Sequence, residues 1–532
     1  MFGFGKKASE ELGDVFRFGG GSMSEREFLE KEIERWKLSS ERQMMITGQL
    51  YYEGKQDILL RKRTAIGQGG QQEEIENLPN NRVVDNQYAK LVNQKADYLL
   101  GQPFVVRGDN AEHIRMLKKV FNRSFMKILK NVGKGVLNWG IAWIYPYLDF
   151  DEGICFKVIP GYEVLPFWKD SGHTRLDKAV RVYRVCGYEG KRPVVIEKAE
   201  VYTADGVERF ILENGKLIPD TVGGQRFSFF GGENGGENKE DRRKRYGEEY
   251  KADILNGNRE GSKENRWEGD MGRISKAGVE RNFDGYGLGY ERIPLIPVKY
   301  NESEIPLIKR VKSLQDGINA LMSDFQNNMQ EDPRNTILIL KNYDGTNLGE
   351  FRKNLALYGA VKVRCDSEAQ GGVESLEVKV NAENYSTILN LYKQALIENG
   401  MGYNSMAFRD SGNAFSNPNQ LNIKSMYTDI DLDANEMEME LQWAFEELMY
   451  FVNGYFSFLG LGDFSGEEVE FIFNRDMLIN ESEAIDNCIK SLDLLSEETV
   501  VAQHPWVNEP VKEMERRGKK KADGYDKKSE EL

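Results

Sequence analysis

Residues 304–331 read EIPLIKRVKSLQDGINALMSDFQNNMQE. Leu307, Val311, Leu314, Ile318, Leu321 and Phe325 recur here every three or four positions. That spacing places them on one narrow stripe of an α-helix. At 1.5 Å per residue the helix is roughly 40 Å long. Its other faces carry Lys309, Lys312, Asp316, Asn319, Ser323 and Asn327. The pattern therefore predicts a helix that packs along a thin seam and keeps a wet face. Pro333 ends it.

Upstream, Ser24 with Glu27 three residues on makes a capping box for a first helix. A second helix ends at Gly54, and 64–80 reads as a linker. Residues 80–104 are predicted as one helix, with Val84, Tyr88, Leu91, Val92, Lys95, Tyr98 and Leu99 near a 3.6 period. Gly101 and Pro103 close it. Two more helices follow, over 110–122 and 124–139. Then the period changes to two. The runs IAWIYPYLD, ICFKVIPG, YEVLPFWK, AVRVYRVCGY, KAEVYTADG and VERFILENG, between 141 and 215, read as successive strands. Residues 223–290 are rich in Gly, Asn and charge with few aliphatics, and are expected to form a flexible insertion. Order returns with the extended YERIPLIPVKYN at 290–301.

Downstream of the 304–331 helix comes a small mixed unit. It has strands at 336–341, 360–365 and 374–380, and a helix at 348–358 capped by Asn347 and Glu350. A helix over 383–399 follows, carrying Tyr385, Ile388, Leu389, Tyr392, Ala395 and Leu396 on one side. Between Gly400 and Pro418 the chain reads GMGYNSMAFRDSGNAFSNP, with no clear period. Loops this long inside a compact domain are uncommon and often functional. From Pro418 a helix of nearly forty residues is expected, with a kink near Asp431–Ala434 where the apolar phase shifts. A strand at 468–474, a helix at 480–496 and a charged tail beyond Glu509 complete the chain. The fold class is α+β and helix-rich.

Composition narrows the chemistry. The 532 residues exceed one hydrophobic core, so several compact units are expected. A formal net charge of −14 disfavours a broad nucleic-acid grip but not a surface past which DNA slides. Cys155, Cys186, Cys365 and Cys488 are far apart, which suggests neither a zinc site nor a disulfide framework. Only three histidines occur. Of these, His113 lies on an amphipathic helix, where a surface or capping role is expected. No apolar run reaches the length of a membrane helix, no signal peptide is visible, and no phosphate-binding GxxxxGK[ST] occurs. No cofactor is expected, and residue chemistry points away from an enzyme. Asp429, Asp431, Asp433 and Glu440 fall at positions 1, 3, 5 and 12 of a calcium loop. Ala434 stands where that loop needs Gly, and the run reads as helix, so the plainer reading is a solvated helical face. The basic runs 242–245 and 516–521 read as solvated tails that could touch phosphates.

The order of these elements resembles the portal proteins of tailed bacteriophages, in particular the siphophage type of phages of Gram-positive bacteria. The resemblance is carried by YYEGKQDI near the N-terminus, NNRVVDNQYAKLVNQKADYLLGQPF, FKVIPGYEVLPFW, IPLIPVKYNESE and DGTNLGEFRKNLALYGAVKV, and covers most of 25–460. It implies a ring, usually of twelve subunits, at one capsid vertex, through which double-stranded DNA is packaged and ejected. By resemblance, 1–23 is a flexible N-terminus and 24–302 the wing. Residues 303–332 are the first stem helix, 333–380 the clip and 381–400 the second stem helix. Residues 401–417 are the tunnel loop, 418–474 the long kinked helix and wing return, and 475–532 the crown and charged tail. Asn404, Phe408, Arg409, Asp410, Asn413 and Phe415 would line the channel. The implied partners are DNA, the terminase large subunit, scaffold and major capsid proteins, and a head-completion or adaptor protein, with no membrane. The implied location is the virion vertex, and the host cytoplasm during assembly. Two rivals stand beside it: a metal-dependent nuclease using the 429–440 carboxylates, and a capsid or scaffold protein without a channel.

Overall fold

The computed structural model describes residues 23–66, 71–74, 79–149, 153–189, 191–204, 206–220, 227–228, 292–331, 337–341, 372–376, 382–403, 420–475, 481–507, 510 and 512–518. Most of the 223–290 insertion and most of the 333–380 unit, including its helix and its 360–365 strand, lie outside these residues. The chain divides into two compact units. One comprises Met1–Gln49, Leu91–Arg310 and Met401–Leu532, the other Leu50–Lys90 and Val311–Gly400. Helix and sheet are mixed, as the α+β reading requires. Among the described residues no helix is long and apolar enough to cross a membrane.

In the first unit the capping box forms as read. Ser24 Oγ accepts from Glu27 N at 3.3 Å, and the Glu27 carboxylate accepts from Ser24 N at 3.1 Å. The helix it starts is Glu25–Lys37. The alternating runs build two antiparallel sheets. The smaller has the order Ile296–Lys299, Ile141–Asp149, Gly153–Pro160. The larger is a meander through Val164–Trp168, Leu176–Glu189, Arg192–Thr203, Gly206–Glu213 and Lys216–Pro219. Successive side chains on a strand point to opposite faces, and the core follows that rule. Tyr202 joins Trp143, Tyr145, Ile159 and Val207 in one buried cluster. Its neighbour Val201 joins Val180, Val182, Leu212 and Leu217 in another, packed on Leu29 and Ile33 of the first helix.

The helix Arg123–Trp139 starts on Asn122, whose side chain accepts from Ser124 N and Phe125 N. It stops at Gly140, with φ +79, where an added Cβ would lie 2.0 Å from the Glu304 carbonyl oxygen. Only glycine fits both conditions. The strand Glu470–Ile472 pairs with Val105–Arg107, a partner the sequence reading did not contain. Phe471 there contacts Phe445 of the long helix at 4.7 Å, and Phe104 meets Phe445 at 5.2 Å. Such aromatic contacts contribute about 0.5–1.5 kcal/mol each beyond their buried area.

His113 corrects an expectation. It is buried, stacked on Phe464 at 4.4 Å, and bonded through Nε2 to Asn453 at 3.1 Å. Burial pushes its pKa below the ordinary histidine value. The unfolded chain therefore takes up a proton first as pH falls through about 6.5, and folding stability drops there. His113→Phe is expected to blunt the loss of thermal stability between pH 7.5 and 5.5. An unchanged slope in a pH series of melting curves would show that His113 does not contribute to it.

The second unit holds the larger departures. The 64–80 linker contains a hairpin, with Thr64 opposite Glu74 and Ile66 opposite Gln72. The helix predicted from residue 80 begins only at Gln87 and runs to Leu100, so Val84 precedes it. The wet face of the 304–331 helix, observed as Ile308–Glu331, is wet only in part. Gln315, Asn319 and Ser323 are fully buried, and Asn327 nearly so, while Leu314, Leu321 and Phe325 of the apolar stripe are half-buried. Leu307, Val311 and Ile318 are buried as expected, and Phe325 meets Tyr385 at 5.2 Å.

The reason lies in the backbone of 81–88. Asn81 N donates to Asn327 Oδ1 at 2.7 Å, and Val83 N to Ser323 Oγ at 2.9 Å. Asp85 N donates to Asn319 Oδ1 at 3.0 Å, and Tyr88 N to Gln315 Oε1 at 2.9 Å. Two residues of extended chain advance about 6.7 Å, and four residues of helix about 6 Å. Oxygen-bearing side chains at every fourth helical position therefore match the alternate N–H groups of Asn81, Val83 and Asp85, in a strap lying antiparallel on the helix, and Gln315 takes Tyr88 N three residues on, inside the next helix. Those N–H groups need partners once buried.

Candidate functional site

Asn404, Phe408, Arg409, Asp410, Asn413 and Phe415 lie outside the described residues. The two roots of their segment are described. The helix before it, Ala382–Asn399, ends with Gly400 N still bonded to the Leu396 carbonyl. The left-handed residue is Met401, with φ 49, not a glycine. A non-glycine there is uncommon and is held by its surroundings. The helix after the segment is Gln420–Phe458, continuous through Asp431–Ala434 where the apolar phase shifts.

Both roots are tied to one face of the helix Gln87–Leu100. The Gln94 amide donates through Nε2 to the Tyr403 carbonyl at 2.8 Å and accepts from Tyr403 N at 3.2 Å. It thus pairs with the Tyr403 backbone as a neighbouring strand would. The Tyr403 ring stacks on Tyr427 at 4.4 Å, and Tyr427 on Tyr98 at 5.8 Å. A ladder of three tyrosines therefore joins the residue before 404–419 to the first turns of the helix after it. Tyr98 OH donates to Asp431 Oδ1 at 2.9 Å. Burial and this carboxylate push the Tyr98 hydroxyl up to about 12; burial and Tyr427 push Tyr403 up to about 12. Both hydroxyls stay protonated at neutral pH.

Asp431 also binds Arg475, which reaches Glu438 at 2.5 Å. Burial alone would lower the Arg475 pKa, but its bonds to Glu438 and Asp431 raise it. Deeper lies Asp433, only 4% exposed. It accepts from Lys95 Nζ at 2.6 Å, Tyr300 OH at 2.7 Å and Arg310 at 3.3 Å. Burial depresses the Lys95 pKa against the opposing pull of Asp433. Burial and Asp433 hold the Tyr300 hydroxyl well above its usual range.

This geometry separates the four carboxylates at calcium-loop spacing. Asp429 is exposed, Asp431 faces Arg475, Asp433 is buried on Lys95, and Glu440 is half-buried on another turn. Among the described residues no group of three or more His, Cys, Asp or Glu could hold a metal ion. The solvated-face reading fails as well at Asp433. Lys95 was visible in the sequence as a charge inside an apolar stripe, which signals a buried partner. Gln94, Tyr403, Tyr427 and Arg475 carried no such signal.

These contacts tie the residue before 404–419 and the start of the helix after it to the same helix, Gln87–Leu100. The family description "Phage portal protein, SPP1 Gp6-like" matches residues 37–526. The chain is similar to the portal protein of Bacillus phage SPP1, with 24% identity over 521 residues, covering 97% of this chain and 91% of the relative. It is similar also to the portal protein of Clostridium phage phiCD119, with 22% identity over 488 residues, covering 90% and 92%. With the match running through nearly the whole chain, both loop roots included, the chain belongs to the SPP1 Gp6-like family of phage portal proteins.

Proposed function

We propose that copies of this chain close into a ring, of about twelve as the resemblance implies, at one capsid vertex, and that double-stranded DNA passes through its centre in packaging and ejection. In this reading 24–302 forms the wing, 303–332 and 381–400 the stem, 333–380 the clip and 475–532 the crown. Residues 401–417 form the tunnel loop, with Asn404, Phe408, Arg409, Asp410, Asn413 and Phe415 toward the channel. The observation that carries it is the clamp at the roots of 404–419. A loop that meets a moving filament needs a base that does not yield, and Gln94 with the three tyrosines supplies one.

Duplex DNA carries a charge about every 1.7 Å, and a strongly basic channel would hold it through counterion release. A chain of net charge −14 avoids that grip. Arg409 makes brief phosphate contacts and Asp410 limits their strength. The clip docks the terminase motor during packaging and the head-completion protein afterwards. Scaffold and major capsid proteins meet the outer rim as the ring is built into the capsid in the host cytoplasm. The nuclease reading has lost its common carboxylate site, because Asp431 and Asp433 serve separate ion pairs.

Negative-stain images of the purified protein are expected to contain closed rings with a central hole. A shell, a filament or a monomer that cuts DNA would overturn the reading. Replacing 404–413 by a short Gly/Ser linker is expected to leave the ring intact and to lower packaging rate and DNA retention. If both are unchanged, the tunnel-loop assignment is wrong.

A further inference from the structure

The strands Leu176–Glu189 and Arg192–Thr203 outrun their neighbours in the larger sheet. Val164–Trp168 pairs with the first only up to Arg181, and Gly206–Glu213 with the second only down to Lys198. Among the described residues, 184–189 and 192–197 therefore pair only with each other. They form an arm about 20 Å long. A two-stranded hairpin is marginal in water unless something packs on its face.

The register identifies that face. Val180, Val182, Ala199 and Val201 point to the side packed on Leu29 and Ile33 of the first helix. Cys186 opposite Val195, and Tyr188 opposite Pro193, lie an even number of residues further out and continue the same side. The helix stops short of them, ending at Lys37, which pairs with Glu197 at 2.7 Å. Tyr188 is 80% exposed and Val195 61%, and Cys186 and Pro193 are exposed too. At the tip, exposed Lys191 and Arg192 form no ion pair among the described residues.

The long helix Gln420–Phe458 carries the complement. Leu432 and Met439 are two turns apart on one face, 55% and 73% exposed. Asp429, Glu436 and Glu446 flank that line within about 60° around the helix. All three are exposed and form no ion pair among the described residues. An apolar strip with a cationic tip thus matches an apolar strip with an acidic rim. The outside of duplex DNA would offer the two cations phosphates but leave Tyr188, Pro193 and Val195 uncovered. A head-to-tail ring needs two different, complementary patches on every subunit.

We propose that the arm 184–197 of one copy of this chain lies on the long helix of the next. Cys186, Tyr188 and Val195 meet Leu432 and Met439, and the cationic tip meets the acidic rim. The proposal rests on the ring reading above. The test places a second thiol opposite the first. In Met439→Cys a short bis-maleimide is expected to join Cys186 of one copy to position 439 of the next. Denaturing gels should then show a ladder running up to the whole ring. The ladder is expected to vanish when Cys186→Ser is added, and where Met439 is intact. Separately, Tyr188→Asp with Val195→Asp is expected to leave circular dichroism unchanged, both residues being exposed in the subunit. In native mass measurement it should raise the concentration for ring formation by about tenfold or more, because carboxylates then face carboxylates across each contact. Rings that form at the wild-type concentration, or that give no ladder dependent on both thiols, overturn the proposal and leave the portal ring standing. If maleimide labelling of Cys186, read by peptide mass, is blocked only when duplex DNA or capsid protein is added to the ring, the arm belongs to that partner and the proposal falls. A wild-type chain that never assembles overturns the ring reading and this contact together.

Discussion

Asp433→Ala is expected to destabilise the first unit by about 3–5 kcal/mol, because it leaves Lys95 buried without a counter-charge. Lys95 has 3% of its side chain exposed and Asp433 has 4%, so neither reaches water without local opening. The carboxylate is also the acceptor for Tyr300 OH, so a second buried donor is orphaned by the same change. Arg310 is different: about a third of its side chain is exposed, and it can turn outward. The double variant Lys95→Met, Asp433→Leu removes the buried charges together and is expected to recover much of the loss, since apolar replacements of a buried pair are often neutral or better. Urea unfolding followed by a probe in the first unit reads both. A loss below about 1 kcal/mol for Asp433→Ala would mean that water reaches the cluster.

What the sequence disclosed follows the range of the interactions. The strands between 141 and 213 were legible because each carries alternation along its own length. The pairing of 105–107 with 470–472 was not, because three residues carry no period and the partner lies far along the chain. Lys95 stood out in its apolar stripe, whereas its partner is 338 residues away inside an acidic run that looked solvated. The candidate channel segment was legible as an aperiodic stretch between two helices. Its clamp was not: Gln94 and Tyr403 are 309 residues apart, and a glutamine next to a buried lysine gives no sign that it will pair with a distant backbone. Burial of Gln315, Asn319, Ser323 and Asn327 was invisible for a related reason. Polar side chains at every fourth position look the same whether water or the N–H groups of a backbone strap donate to them.

That ambiguity is settled by Asn319→Leu. On a wet helical face the change would be neutral or slightly favourable, since leucine is the better helix former. In the strapped arrangement it is expected to cost about 2–4 kcal/mol, because several buried groups lose their partner together. Asn319 Oδ1 accepts from Asp85 N at 3.0 Å and from Gln315 Nε2 at 3.1 Å, and its Nδ2 donates to Gln56. Gln56 is itself buried and bonded to Asn86 and to the Tyr51 carbonyl, so the loss spreads to the chain entering the strap. Asn319→Asp separates shape from charge. It keeps the acceptor for Asp85 N but gives up the donor to Gln56, and it buries a carboxylate among Asp85 N, Gln315 and Gln56, none of which is a cation. It is therefore expected to be destabilising at neutral pH and to recover as the carboxylate protonates in acid, where the acid form again offers a donor. Hydrogen exchange locates the effect: the amides of Asn81, Val83 and Asp85 are expected to exchange faster in Asn319→Leu, with the helix Arg123–Trp139 unchanged. Slow exchange retained at Asp85 would mean that another acceptor holds the strap, and the ladder would then be packing without energetic weight.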